Sequence, residues 1–263
     1  MQRRDFLSAS LAASAMSFSA RGSAQASASA REFYLIRRYN FVTGPQTGLA
    51  DKYFADALVP ALTRMGLGPV GVMRLDFGPE TPAYYTIIPA ASADALAQLD
   101  FHLAQDADFV KAAEPFWSAH ATAPAFQRVD STLLIAFEGW PKLITPASQG
   151  LKGKRIFQLR TYESPSFAAH VRKVEMFNSG EFEIFKNAGC RPMFFSDTLI
   201  GSRMPSLTYM LSFAGTQELE AGWDAFRNDP AWKRLSGSPR YNYEAIVSNI
   251  TNMILSPLEC SQF

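Results

Sequence analysis

The chain has 263 residues, a formal net charge of +1 and a hydrophobic share of 48%. This composition is typical of a globular protein with one large core or two small ones. The near-neutral charge argues against nucleic acid or an anionic membrane as a partner. The mature chain contains no run of about twenty apolar residues, so we predict no transmembrane segment in it.

The first 26 residues have the layout of an export signal. Arg3 and Arg4 precede a weakly apolar stretch rich in alanine and serine, and an A-x-A cleavage pattern ends at Ala26. This order predicts a signal peptide over residues 1–26, and the paired arginines favour the twin-arginine route. We therefore expect a periplasmic or otherwise exported protein. Loss of the three arginines and one aspartate of this segment would change the net charge from +1 to −1.

The first half of the mature chain alternates between strand-like and helix-like patterns. β-Branched and aromatic runs indicate strands, and apolar residues at helical spacing indicate helices. The predicted elements are a strand at 32–41, a helix near 48–65, strands at 69–77 and 83–89, a helix at 92–104 and a strand at 131–138. This β-α-β-β-α-β order is that of a ferredoxin-like unit.

The second half repeats the same order of elements. A strand over RIFQLRTY precedes a helix with apolar residues from Phe167 to Phe185, which Gly180 should bend and Gly189 should end. The further elements are strands at 192–200 and 206–213, a helix at 216–227, a short helix carrying Trp232 and a strand near 246–255. The predicted helix N-caps are Ser164, Thr216 and Asp229.

The two halves are related by an internal repeat with an offset of 123 residues. Arg37 and Tyr39 recur as Arg160 and Tyr162. Several glycines and prolines also coincide where the element pattern changes, and turn chemistry restricts the residue type at such points. We therefore interpret the chain as a duplicated domain, with repeats at 31–140 and 154–263 and a linker at 141–153.

A ferredoxin-like unit covers one face of its sheet with helices and leaves the other face bare. Two such units can bury their bare faces against each other, and their edges can close into a barrel. We therefore predict an α+β fold in which two tandem ferredoxin-like units build one barrel within a single chain.

Four segments together resemble the NIPSNAP family, which belongs to the dimeric α/β-barrel group. The segments are RIFQLRTY, PSLTYMLSF, WDAFRNDPAWKRL and SNITNMILSPLECSQF. The resemblance is strong over 154–263 and weaker over 31–140, where RRY replaces RTY. It implies the dimeric α/β-barrel fold but transfers no catalytic residue. Animal relatives are associated with mitochondria and protein partners, whereas the bacterial-type export signal predicts a different location for this chain.

One face of the first strand in each repeat carries the candidate ligand-binding residues. Strand residues alternate between faces, so Gln158, Arg160 and Tyr162 share one face, while Phe157, Leu159 and Thr161 share the other, which we assign to helix packing. If the first face points into the barrel, arginine and tyrosine there suit an anionic or carbonyl-bearing ligand. The alternative is a structural role at strand ends. The candidates are Arg37, Tyr39, Gln158, Arg160, Tyr162 and Tyr209.

The histidines predict no metal site. None of His102, His120 and His170 has further ligands at convincing spacing, so we expect no metal and no cofactor. Haem bound through His170 is the less favoured alternative, because a solvated helix histidine is commoner. Whether Cys190 and Cys260 pair stays open.

Two sets of residues in the second repeat, one charged and one aromatic, are interpreted as structural. Glu181 and Glu183 alternate with apolar residues on a helix and predict a solvated face. Trp223 and Trp232 recur with Phe226 near helical spacing and predict core packing rather than a cofactor site.

Two functions follow from these patterns. The first is a binding module for a small ligand or a partner protein, which the lack of a catalytic motif favours. The second is a cofactor-free oxygenase or isomerase that acts on a carbonyl-bearing substrate in the barrel interior. A filled interior would favour the module, and a cavity holding both Arg–Tyr pairs would favour the enzyme. A homo-oligomer is possible in either case, and no nucleic-acid partner is expected.

Overall fold

The computed structural model describes residues 30–42, 44–145 and 155–263. The predicted signal peptide, residues 1–26, lies outside these ranges, as do residues 146–153 of the predicted linker. Both stay predictions. Among the helices of the described ranges, none combines the length and the apolar composition that a membrane-spanning helix needs.

Eight strands within the described ranges form a closed antiparallel barrel. They are β1 (Phe33–Asn40), β2 (Gly71–Phe77), β3 (Ala83–Ala90), β4 (Arg128–Ala136), β5 (Ile156–Glu163), β6 (Arg191–Ile200), β7 (Ser206–Phe213) and β8 (Asn249–Pro257). The order around the barrel is β1-β3-β2-β8-β5-β7-β6-β4. Each repeat therefore contributes four neighbouring strands, and the pairs β2–β8 and β4–β6 join the repeats.

The helices lie on the outside of the barrel in two groups. The first group is α1 (Gly44–Lys52), α2 (Val59–Arg64), α3 (Ala93–Ala97), α4 (Leu99–Leu103) and α5 (Ala107–Trp117). The second is α6 (Phe167–Met176), α7 (Phe182–Asn187), α8 (Thr216–Asn228), α9 (Pro230–Ser236) and α10 (Tyr243–Ile246). A π-helical turn interrupts the first long helix of each repeat, at Tyr53–Leu58 and at Phe177–Glu181.

The predicted α+β fold with two tandem ferredoxin-like units is confirmed, and most predicted elements lie within a few residues of the observed ones. Gly180 and Gly189 adopt φ angles of 136° and 77°, as expected for a bend and a helix end. Asp229 caps α9 through the N–H groups of Ala231 and Trp232. The sequence patterns did not predict α5 or the short α10.

Two predicted N-caps are wrong by one or two residues. Ser166, and not Ser164, accepts the capping hydrogen bond of α6 from the N–H of Ala169. Gly215 is the N-cap of α8, so Thr216 is already its first helical residue. In both cases the true cap lies within two residues of the predicted one, and only the backbone angles distinguish such near candidates.

The barrel interior and the two helix layers are separate cores. The interior is filled by residues of both repeats, including Tyr34, Phe157, Leu159, Phe194 and Met253. Two further clusters pack the helices of each repeat against the outer face of its own strands.

The assignment of strand faces in the sequence analysis is therefore wrong. Phe157 and Leu159 point into the barrel, while Tyr162 on the opposite face of β5 packs under the helices of the second repeat. Alternation alone places residues on two faces but does not say which face the helices cover, because both faces are buried in a closed barrel with an outer layer.

Candidate functional site

A cleft of about 630 Å³ lies between the outer face of the second repeat's sheet and the helices that cover it. β5 and β8 form its floor, and α8, α9 and α10 form its opposite side. Its aromatic lining consists of Tyr162, Trp223, Phe226, Trp232 and Tyr243. Its polar floor and inner end consist of Gln158, Arg160, Glu181 and Asn252. Three of the six predicted binding residues, Gln158, Arg160 and Tyr162, thus line one cleft.

Arg160 is the central charge of this cleft. Its guanidinium carbon lies 4.4 Å from the ring centre of Trp223 and 5.3 Å from that of Tyr162. Among the described residues Arg160 forms no ion pair, and its Nε is buried without a hydrogen-bond partner. Arginine keeps its charge in proteins, so a guanidinium with aromatic neighbours and no carboxylate partner can bind an anion through its terminal nitrogens, which are not among the buried unpaired atoms.

A chain of hydrogen bonds holds the ring that stacks on Arg160. The indole Nε1 of Trp223 donates to Gln158 Oε1 at 2.7 Å, and Gln158 Nε2 donates to Asn252 Oδ1 at 2.9 Å. These bonds link α8 to β5 and β8 across the cleft. Gln158 therefore orients Trp223, and Trp223 in turn positions the guanidinium of Arg160.

A further tyrosine, Tyr209, lies behind the floor of the cleft in contact with Tyr162. The hydroxyl groups of Tyr162 and Tyr209 are 2.8 Å apart, and both residues are buried. Burial raises the pKa of Tyr209 well above its ordinary value, and burial likewise raises the pKa of Tyr243 at the cleft wall. Tyr209 and Tyr243 are therefore neutral at physiological pH and serve as hydrogen-bond donors rather than as bases.

A buried ion pair closes the inner end of the cleft. Lys173 Nζ lies 2.7 Å from Glu181 Oε2, and the two side chains are 0% and 1% exposed. The Lys173 ammonium also lies 4.3 Å from the ring centre of Phe177 and 5.3 Å from that of Tyr243. Burial raises the pKa of the Glu181 carboxyl, and the charges of Lys173 and Arg160 oppose this rise.

Glu181 corrects the sequence analysis in one respect. The prediction of a solvated face is wrong for this residue, which is buried, whereas Glu183 is exposed as expected. The π-helical turn at Phe177–Glu181 inserts an additional residue into the helix and shifts Glu181 inward. Helical periodicity cannot anticipate this shift, because it assumes a constant 3.6 residues per turn.

The first repeat has a matching cleft of about 410 Å³ with a different charge arrangement. Arg37 and Tyr39 line it at the positions of Arg160 and Tyr162. Here both terminal nitrogens of Arg37 donate to the carboxylate of Asp100, at 2.7 and 2.8 Å. Asp100 lies 123 residues before Trp223, so the first repeat has a carboxylate where the second has an indole.

The inner ends of the two clefts also differ. Ala50 and Leu58 occupy the positions of Lys173 and Glu181, and both belong to the apolar core of the first repeat. The first cleft therefore has a neutralised arginine and no buried ion pair. The second has an unpaired arginine and a buried ion pair.

A third cavity, of about 280 Å³, opens at one end of the barrel interior. Arg38 forms an ion pair with Glu80 at 2.9 Å, and Glu80 also binds Arg128 at 2.8 Å. Tyr85 lies inside this opening, where burial raises its pKa to about 12. Tyr85 and Tyr209 therefore lie on opposite sides of the sheet, and neither predicted Arg–Tyr pair enters the barrel.

His170 is buried rather than solvated, so that expectation is also wrong. Its Nε2 lies 2.7 Å from Asp197 Oδ1, and its side chain is 8% exposed. The haem alternative at His170 stays a prediction, and ligation through Nε2 would have to break this contact. Among the described residues, no group of three or more His, Cys, Asp and Glu side chains could hold a metal ion. Cys190 and Cys260 are both free thiols.

Sequence reasoning missed four residues that shape the cleft: Lys173, Glu181, Trp223 and Tyr243. The signal that could have found Lys173, Glu181 and Trp223 is the repeat itself. At each of the pairs 50/173, 58/181 and 100/223 the two copies differ in charge or polarity, while Arg37 and Arg160 are retained. Comparing the copies position by position exposes these changes, whereas a search for known catalytic motifs does not.

Three solved structures share the overall fold with the chain at low sequence identity. A candidate monooxygenase from Lactobacillus acidophilus is 12% identical with a TM-score of 0.57, over 86% of this chain and 94% of its own. A candidate monooxygenase from Fusobacterium nucleatum is 7% identical with a TM-score of 0.54, over 88% and 94%. An anthrone oxidase-like protein is 12% identical with a TM-score of 0.52, over 88% and 92%. At these identities the likeness concerns the fold alone.

Sequence comparison finds a family match for the second half of the chain. No curated protein matches the chain significantly. The sequence profile of the NIPSNAP family matches residues 157–262, which span β5 to the end of the second repeat and include every residue that lines the larger cleft. The match to the NIPSNAP family is therefore carried by the second repeat of this closed α/β barrel.

Proposed function

We propose that the cleft of the second repeat binds a small anionic molecule with an apolar or aromatic body. The unpaired guanidinium of Arg160 carries this proposal, because a largely buried charge without a carboxylate partner is costly unless a ligand neutralises it. A carboxylate ligand could accept two parallel hydrogen bonds from the guanidinium.

The first repeat supports this interpretation as an internal comparison. It shows that the same fold can neutralise the same arginine with its own aspartate, Asp100. In the second repeat that aspartate is replaced by Trp223, which stacks on the guanidinium and leaves its charge available. The change removes an anion from the protein and adds an aromatic surface, which suits an external anion with a planar body.

The remaining charges at the cleft do not replace the missing carboxylate. Glu181 is paired with Lys173, and Asp224 at the rim forms an ion pair with Arg227. Glu220 adds an exposed carboxylate at the rim, where water screens its charge. The volume of about 630 Å³ is in the usual range for small-molecule sites, and the aromatic walls provide an apolar environment for the rest of the ligand.

The residues assigned to the alternative enzyme function do not lie in the barrel interior, where that function expected them. It placed the substrate in the barrel interior with Arg160 and Tyr162 polarising a carbonyl group, but both residues lie on the outer face of the sheet. The interior is largely filled by side chains of both repeats. A filled interior favours a binding module over an enzyme that acts inside the barrel. We further propose that binding takes place outside the cytoplasm, on the basis of the signal-like residues 1–26. The mass of the secreted protein would test cleavage after Ala26.

Titration with phenylacetate and phenylpyruvate, followed by tryptophan fluorescence and calorimetry, tests the binding proposal. We expect both acids to bind the unmodified protein and the uncharged phenylacetamide to bind much more weakly. Arg160→Met should weaken binding of the acids roughly 10- to 100-fold, because a charge-assisted hydrogen bond contributes about 1.5–3 kcal/mol.

The matched control is Arg37→Met, which removes the equivalent arginine from the first repeat and should leave acid binding unchanged. Trp223→Asp, in contrast, should abolish acid binding. It places a carboxylate beside Arg160, as Asp100 lies beside Arg37, and this carboxylate would neutralise the guanidinium. The proposal is wrong if neither acid binds at millimolar concentration, or if the two arginine variants behave alike.

A further inference from the structure

We infer that the cleft of the second repeat is a catalytic site in which Glu181 removes a proton from a carbon next to the carbonyl group of an oxo-carboxylate bound at Arg160. This inference rests on the proposed function, since it needs an anion on Arg160. It adds a reaction, a base and a substrate class to that function.

The first observation is that the fold does not require the Lys173–Glu181 pair. The same interrupted helix in the first repeat packs with Ala50 and Leu58 at these positions, and both are fully buried. Burying two charges costs more than packing apolar residues of similar size in many proteins. The second repeat therefore keeps a costly pair where an apolar solution exists in the same molecule, which is typical of a functional site.

The second observation is the direction in which Glu181 faces. Its Oε2 accepts the hydrogen bond from Lys173, and the residue lines the cleft together with Arg160. Among the described residues no hydrogen bond is donated to its other oxygen, Oε1, which is also not among the buried unpaired atoms. Oε1 is thus the carboxylate oxygen available to a molecule in the cleft, and a carboxylate oxygen is a competent proton acceptor.

The third observation is the environment of Lys173. Its ammonium is fully buried among Tyr162, Phe177, Trp232 and Tyr243, and it does not line the cleft. Lys173 is therefore a positioning residue, which fixes the Glu181 carboxylate, and its charge opposes the rise that burial causes in the pKa of that carboxyl. Glu181 itself is the catalytic residue.

The proposed step is balanced without any oxidant or cofactor. Glu181 Oε1 takes the proton from the carbon beside the carbonyl group, the C–H bond breaks, and its electron pair forms the enolate. The Arg160 guanidinium binds the carboxylate and the developing enolate oxygen and stabilises their negative charge. Return of the proton from Glu181 to carbon or oxygen gives a tautomer and regenerates the carboxylate.

The substrate class follows from the same groups. A 2-oxo or 3-oxo carboxylate places its carboxylate and its enolisable carbonyl close together, so that one guanidinium can contact both. The stack of Arg160 on Trp223 and the aromatic walls favour an aromatic or conjugated substituent on the acidic carbon.

Deuterium exchange at C3 of phenylpyruvate, followed by proton NMR in D₂O, tests the inference. The unmodified protein should accelerate the loss of the C3 signal over buffer. Glu181→Gln keeps the shape and can still accept the hydrogen bond from Lys173, so it should bind phenylpyruvate with similar affinity but exchange at least about 100-fold more slowly. Glu183→Gln, an exposed position in the same segment, is the matched control and should exchange at the unmodified rate.

Binding and exchange distinguish the two proposals. If the unmodified protein binds phenylpyruvate but does not accelerate exchange, the catalytic inference is overturned and the binding function stands. If Glu181→Gln exchanges as fast as the unmodified protein, Glu181 is not the base. If the acid does not bind at all, both proposals fail. Should Glu181→Gln fold poorly, the double variant Lys173→Ala/Glu181→Leu, which installs the residues of the first repeat, replaces it in the same comparison.

Discussion

Lys173 and Glu181 show how far the two repeats have diverged at the level of single residues. The backbone elements around positions 50 and 173 match, and both copies contain a π-helical turn at the same place. The side chains differ completely, with apolar residues in one copy and a fully buried ion pair in the other. The repeat thus separates what the fold needs from what a site in the second copy needs.

The stability of two variants tests this interpretation. Lys173→Met leaves Glu181 buried without its partner and should lower the free energy of unfolding by about 3–5 kcal/mol. The double variant Lys173→Ala/Glu181→Leu removes both charges and should be more stable than this single variant. Urea denaturation measures both, and the interpretation is wrong if the double variant is the less stable of the two.

The stability of Lys173→Met relative to the unmodified protein should depend on pH in a defined direction. Burial raises the folded-state pKa of Glu181 above its ordinary 4.5, and loss of Lys173 removes a charge that opposes this rise. A carboxyl with a raised pKa is tolerated when protonated and destabilises the fold when ionised. The deficit of Lys173→Met relative to the unmodified protein should therefore shrink as pH falls from 7 towards 4.5, as denaturation midpoints at several pH values would show.

At the level of elements, the segment after β8 seals the end of the barrel opposite its polar opening. Phe263 is buried against Phe157 of β5, with ring centres 6.4 Å apart, and its ring lies directly over the backbone of Gly71 in β2. Backbone hydrogen bonds from Leu258 to Val72 of β2 and from Gln262 to Val70, the residue before β2, hold the segment in place. The close approach of the Phe263 ring requires a residue without a side chain at position 71.

Gly71→Ala tests this packing. An added Cβ would overlap the ring of Phe263, so we expect a loss of about 1–3 kcal/mol, seen as a lower midpoint of thermal unfolding. Gly48→Ala in α1 is the control, because no heavy atom lies within 4 Å of the added Cβ. Alanine there should be neutral or stabilise the helix by up to about 1 kcal/mol. Equal effects of the two substitutions would contradict the account.

At the level of the whole molecule, the interior of the barrel belongs to neither repeat alone. Tyr34 of the first repeat packs on Phe194 of the second, with ring centres 5.0 Å apart, and residues from both repeats fill the interior. The pairs β2–β8 and β4–β6 close the sheet between the repeats. A single repeat would expose two strand edges and a broad apolar face.

Residues 155–263 expressed alone should therefore form a dimer. Two copies can bury the exposed sheet face and pair β8 of one copy with β6 of the other, which would restore a closed barrel. Light scattering coupled to size-exclusion chromatography would measure the mass. A folded, monomeric second repeat would show that the barrel interior is not needed to complete it.

The sequence by itself determined the duplication, the order of elements and the α+β class. These follow from local patterns: turn residues recur at a constant offset, and apolar periodicity distinguishes strands from helices. It also indicated three of the residues that line the larger cleft, since Gln158, Arg160 and Tyr162 share one face of β5 in any strand.

Tertiary structure alone decided which face meets the helices and which arginine is paired. Both faces of β5 are buried, so their composition does not distinguish barrel interior from helix layer. Asp100 neutralises Arg37 across 63 residues, and Lys173 meets Glu181 because a π-helical turn rotates the latter inward. Such contacts depend on distances in space and on backbone irregularities, which periodicity along the chain does not record.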